Sequence, residues 1–132
     1  MPSIFTRIIQ GEIPCHKVAE TDRFLAFLDI RPVALGHTIV LPKEEIDYFF
    51  DLDNQHMADL MAFAKEVAKA LREIVPCKRI GIAVVGLEVP HAHVHLIPLQ
   101  SMRDMDFEKE PIAISNEELA ALAARIHGTF FS

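Results

Sequence analysis

The chain has 132 residues, of which 51% are hydrophobic and 24% charged, with a formal net charge of −6 and two cysteines. A single domain of that size buries a core without disulfide or metal staples, and no apolar run reaches the length of a membrane span. The acidic balance excludes a non-specific nucleic-acid binder, which needs a basic face to neutralise phosphates, but leaves room for a small phosphorylated ligand held by a few local donors.

The N-terminus has no signal-peptide layout, so a cytoplasmic location is expected. Cys15 and Cys77 lie far apart and make no metal-ligand spacing. They read as reduced thiols that fill space as small buried hydrophobes.

Residues 3–10 read as a short helix, with Ser3 as N-cap and Gly11 at the left-handed position after its end. Its stripe of Ile4, Phe5, Ile8 and Ile9 reads first as core packing. Residues 16–20 and 23–29 are strand candidates around a Thr21-Asp22 turn and predict a hairpin. The second is apolar throughout, which predicts cover on both faces. Gly36 and Pro42 bound a third strand with His37 at its start, and residues 42–50 read as a helical turn with Pro42 near its first position.

Asp53 caps the strongest helical pattern, which runs to about Val75 before Pro76. Its expected buried stripe is Met57, Leu60, Met61, Ala64, Val67, Ala68, Leu71, Ile74 and Val75. His56, in its first turn, receives no role. Residues 79–85 have little polar content and read as a buried fourth strand. A last strand carries His91, His93 and His95 and ends near Pro98. Residues 101–111 read as charged, irregular, mobile surface. Ser115-Asn-Glu-Glu118 is a capping box that opens a final helix, which Gly128 stops, leaving His127 as a surface cation at its C-terminus. The order predicts one α+β domain over 1–132, with a core over about 3–98. Its five-stranded, mostly antiparallel sheet carries helices on one side.

The chemistry concentrates in His91-Ala-His93-Val-His95-Leu-Ile97. On a strand, residues two apart share a face, so the three imidazoles line one side while Ala92, Val94 and Leu96 enter the core. The outer two rings would then lie roughly 13 Å apart, which suits an extended ligand rather than one metal ion. Three readings follow. Each histidine is a satisfied core or surface residue; or two of them converge with His37 on a metal; or the row works on a phosphate. A metal would leave one histidine over and has no obvious cysteine or carboxylate to complete its set. Imidazole is a competent nucleophile at phosphorus near neutral pH and serves as general acid or base.

That stretch resembles the signature of the histidine triad (HIT) family, His-φ-His-φ-His-φ-φ with φ apolar. The resemblance extends over Ile4-Phe5, Ile8-Ile9, Glu12-Ile13-Pro14, Ala26-Phe27-Leu28-Asp29-Ile30 with Pro32, and Gly36-His37-Thr38 with Pro42-Lys43. Order and spacing are similar to the Hint-like branch of small nucleotide-binding hydrolases. The resemblance implies a five-stranded antiparallel sheet with the long helix packed on it, a homodimer, and a purine nucleotide as substrate. It implies hydrolysis at the α-phosphate of a phosphoramidate or related nucleotide, with no cofactor. His93 would be the nucleophile, forming a transient nucleotidyl-histidine. His91 and His95 would hold phosphate oxygens, with His37 beside them. Asp29 would bind the ribose hydroxyls, and Phe5, Ile8, Ile13, Phe27 and Ile30 would wall the base. Two alternatives stay open: a dinucleoside polyphosphate hydrolase, and a nucleotide-sensing or scaffolding protein with vestigial activity.

The chain departs from the pattern in two places. The loop before the triad, Gly86-Leu87-Glu88-Val89-Pro90, is short, and Glu88 stands near the usual polar donor, where a carboxylate repels phosphate unless protonated or turned away. Some bacterial relatives hold a structural zinc with Cys-x-x-Cys and a histidine after Pro-Lys. Those positions are Ser3, Thr6 and Glu45 here, so no zinc is expected.

Overall fold

A computed structural model describes residues 2–130, so the first residue and the last two of the expected unit lie outside it. The elements are α1 (Ile4–Ile9), β1 (His16–Glu20), β2 (Phe24–Leu28), β3 (Thr38–Pro42), α2 (Asn54–Ile74), β4 (Arg79–Ala83), β5 (Val94–Leu99) and α3 (Asn116–Phe130), with 3₁₀ turns at Phe49–Asp51 and Met102–Met105. The strands form one antiparallel sheet in the order β1-β2-β3-β5-β4. This is the expected α+β architecture.

Alternation assigns each strand's residues to two faces. Phe24, Ala26, Leu28, Val40, Val94 and Leu96 pack against Leu60, Phe63, Ala64, Val67 and Leu71 of α2, and against Leu119, Leu122, Ala123 and Ile126 of α3. Phe5, Leu25, Phe27, Ile39 and Leu41 form a smaller cluster on the other face, beneath α1. The helices are therefore divided between the two faces rather than gathered on one.

Local signals explain most boundaries. Ser3 Oγ accepts the Thr6 N–H, and at the far end of α1 Gly11 (φ +81°) donates to the Ile8 carbonyl while Glu12 donates to that of Arg7. This paired closure needs a left-handed residue, which glycine supplies without strain. Asp53 caps α2 through the His56 N–H. Its buried line runs through His56, Leu60, Phe63, Ala64, Val67, Ala70 and Leu71. The expected stripe is thus turned by part of a helical step, because Phe63 goes in and Met61 stays exposed.

Other expectations are corrected. Pro42 is the last residue of β3, paired with Phe24, and opens no helix. The 3₁₀ turn there is three residues long. β4 is not buried: it has one neighbour, β5, and leaves Ile82, with Val84 and Val85 just beyond, exposed at the sheet edge. α3 continues through Gly128 to Phe130, and His127 Nδ1 donates to the Val18 carbonyl at 3.0 Å, so His127 ties α3 to β1 instead of capping a helix end. His56 is buried beside Phe24, with Glu44 3.6 Å away. Both cysteines are free and half-buried. Among the described residues, no helix is long and apolar enough to cross a membrane.

Candidate active site

β5 begins at Val94, so His91 and His93 precede the ladder in an extended approach, and only His95 is a strand residue. All three are buried, as is His37. The sheet brings them together. Val40 pairs with Val94 and Ile39 with His95, which puts His37, just ahead of β3, beside the histidine segment.

Hydrogen bonds to backbone groups fix which nitrogen of each ring carries the proton, because an amide N–H only donates and a carbonyl only accepts. The Val33 N–H donates to His37 Nδ1 at 3.1 Å, so neutral His37 is protonated at Nε2. That Nε2–H donates to His95 Nδ1 at 2.9 Å, which places the His95 proton on its own Nε2. His93 Nδ1–H donates to the His91 carbonyl at 2.7 Å, leaving the lone pair on His93 Nε2. Among the described residues, no closed-off side-chain nitrogen or oxygen lacks a partner. His93 Nε2 and His95 Nε2 have none among the described residues, so both open toward solvent. The site therefore presents a nucleophilic nitrogen next to an N–H donor, with the two rings 4.9 Å apart.

His91 is built differently. Its Nε2–H donates to the Pro42 carbonyl at 2.7 Å, and its Nδ1 accepts from Ser3 Oγ at 3.0 Å. Both nitrogens are spent inside the fold, so neither reaches a phosphate oxygen. Glu45 Oε1 completes the cluster by accepting from the Ser3 N–H at 2.6 Å and the Thr6 hydroxyl at 2.5 Å. Ser3, Thr6 and Glu45 thus converge on His91. Two hydroxyls and a carboxylate already engaged with one another do not fit a tetrahedral zinc, which takes thiolates and imidazoles.

Burial favours the neutral form of His37, His93 and His95. Burial pushes the pKa of His95 down to about 3, with help from neighbouring His93 and His37. Burial also lowers His93, against the hydrogen bond to the His91 carbonyl and the charges of Asp29 and Glu88. His37 is lowered by burial, opposed by Asp29. Glu88 itself is exposed in its loop.

Asp29 follows β2 and is partly exposed. Its Oδ1 accepts the Arg31 N–H at 2.8 Å, and its Oδ2 lies 3.7 Å from His37 Nε2. Asp29, His37 and His95 have ligand atoms within 4.8 Å of one another, the spacing of a metal site. The protonation order opposes that use: a metal on His37 Nε2 would displace its proton while Val33 N–H still points at Nδ1. The apolar side is Phe5, edge-on to His93 at 4.9 Å and to Phe27 at 5.7 Å, with Ile8 packed against the same cluster. Ile13 is half-buried, and Ile30 is 68% exposed.

One neighbour went unnoticed in the sequence. Phe107 lies edge-on to His95 at 4.8 Å and to His37 at 5.9 Å. It belongs to the stretch expected to be mobile, and no periodicity marks it.

The arrangement defines a protein built around paired neutral imidazoles on an antiparallel sheet. The HIT domain pattern matches residues 10–102. The adenosine 5′-monophosphoramidase hnt1 of Schizosaccharomyces pombe is 36% identical over 128 residues, covering 96% of each chain. Among solved structures, a hypothetical histidine triad nucleotide-binding protein from Sulfolobus tokodaii superposes with a TM-score of 0.85 at 27% identity, over 97% of this chain and 91% of that one. A HIT-like protein of Bartonella henselae, described as involved in cell-cycle regulation, gives 0.83 at 29% identity over 96% and 95%. The chain belongs to the HIT family.

Proposed function

We propose that this protein hydrolyses purine nucleoside 5′-phosphoramidates by attack of His93 on the α-phosphorus. The observation that carries this reading is the pairing of an outward lone pair on His93 Nε2 with an outward N–H on His95 Nε2. His93 Nε2 forms a bond to phosphorus, the P–N bond to the amine breaks, and the amine leaves with a proton taken from solvent. Water then attacks phosphorus and gives up a proton to solvent, the P–Nε2 bond breaks, and the nucleoside monophosphate is released. His95 Nε2–H donates to a phosphate oxygen, and His37 holds His95 in the donating tautomer. His91 is a positioning residue, since its carbonyl orients His93 while its ring is anchored to Ser3 and Pro42. Asp29 keeps acceptor capacity for ribose hydroxyls, the base lies against Phe5, Ile8 and Phe27, and Ile13 and Ile30 form the rim.

The name of the fission-yeast relative supports the phosphoramidate class. The exposed edge of β4, with Ile82, Val84 and Val85, supports a homodimer formed by strand addition. Free thiols accord with a cytoplasmic location.

The test is incubation with adenosine 5′-phosphoramidate. AMP should be released, and His93→Ala should abolish the release. Full turnover by the variant refutes the nucleophile assignment, whereas nucleotide binding without turnover by the native chain favours a sensor.

A further inference from the structure

The stretch between β5 and α3 is anchored at several points. Asp104 Oδ2 accepts the N–H groups of Gln100 at 2.7 Å and Ser101 at 3.0 Å. Met105 lies over Gly81, where a Cβ would come within 2.5 Å of its Cε, so the glycine makes the seat for this side chain. Asp106 Oδ1 accepts the Glu108 N–H at 2.9 Å, closing a turn around Phe107. Farther on, the Ile112 N–H donates to the Pro32 carbonyl at 2.9 Å. The segment thus crosses from β4 to the loop before His37 as a strap fixed at both ends.

Its turn delivers one aromatic ring to the site. Phe5, His93, His95 and Phe107 form a continuous edge-to-face row, with successive centroids 4.9, 4.9 and 4.8 Å apart. The two imidazoles that face the phosphorus are bracketed by two phenyl rings. One belongs to the α1 wall, and the other is 36% exposed at the opposite end. A phosphorus over His93 carries two variable groups. Where the nucleoside takes the Phe5 and Phe27 side, the other substituent meets Phe107.

We propose that Phe107 is a specificity-determining residue: it walls the site beside His95 and limits the size of the amine that the phosphorus can carry. This rests on the phosphoramidate reading. An aromatic wall of this kind discriminates by roughly 10–200-fold between ligands that fit and ligands that clash.

Two adenosine 5′-phosphoramidates that differ only in the amine, unsubstituted –NH₂ and naphthylmethylamine, provide the test. In Phe107→Ala the ratio of kcat/KM for the bulky over the small compound should rise by roughly tenfold, with a smaller rise in Phe107→Leu. Met105→Ala, which loosens the strap away from the site, should move the ratio in the same direction. An unchanged ratio in variants that keep the native thermal midpoint overturns the proposal. So does an equal rise in KM for both compounds, which would place Phe107 on the nucleoside. If the native chain turns over neither compound, the phosphoramidate reading fails, and calorimetric dissociation constants give the same ratio. A shift in that ratio upholds the wall, and its constancy, or a lack of binding by both compounds, removes it.

Discussion

The two faces of the sheet are made from the same strands and serve opposite ends. On one face, α2 and α3 bury a broad apolar cluster that leaves Leu60, Leu71, Val40, Val94 and Ile126 essentially without solvent contact. On the other, the six residues of α1 cover only part of the surface, and four imidazoles fill what remains. Burial on the first face is stabilising in proportion to apolar area. On the second it acts through hydrogen bonds that hold the rings in set orientations, which is what the proposed chemistry needs. Stability and chemistry are therefore separable by face.

The largest effect expected from that separation is on the chemical face. His93→Gln should lower turnover of a nucleoside phosphoramidate by at least about 10³-fold, while the thermal midpoint stays near the native value. A comparable loss of stability would show that the imidazole row is also structural. Next comes the core face. Leu71→Ala should cost about 3 kcal/mol in denaturant unfolding, yet leave kcat unchanged at temperatures where the variant is folded. Ser3→Ala tests how far the chemical face also stabilises the fold: losing the cap of α1 and the donor to His91 Nδ1 should cost about 2 kcal/mol.

The effect that is smallest at neutral pH is graded with pH. His95, neutral in the fold down to about pH 3, takes up its proton near 6.5 when unfolded. The unfolded state thus binds more protons between those values. The stability contribution is complete above about pH 6.5 and declines as pH falls, by at most about 1.4 kcal/mol per pH unit for this group. Acid titration of unfolding should show this slope, and His95→Gln should flatten it. For catalysis, the lowered pKa of His93 predicts that the acid limb of kcat/KM lies below 6.5.

The sequence announced much of this through local rules. The cap at Ser3, the glycine after α1, the Asp53 cap and the Ser115 capping box all act over three or four residues, and each is present. The histidine alternation pointed to the site. What it did not convey depends on partners far along the chain. His91 and His95 look equivalent around His93, but one meets Ser3 and Pro42 and the other meets His37. β4 and β2 look equally apolar, but β4 lies at the sheet edge and β2 in its interior. Phe107 sits among charged residues with no period, and only the strap's anchors at Gly81 and Pro32 carry it to the histidines.

The Val33 amide gives the site a direction. Its proton sits two rings away from any substrate, yet it decides, through His37, that His95 shows an anion a hydrogen rather than a lone pair. No ionisation is involved. Replacing that amide by an imino nitrogen, as in Val33→Pro, would free both rings to reverse. The site would then offer two lone pairs side by side to an oxygen that already carries negative charge. In the proposed reading, affinity for a phosphate is an inheritance from a peptide bond: the paired imidazoles acquire polarity because one backbone hydrogen has nowhere else to point.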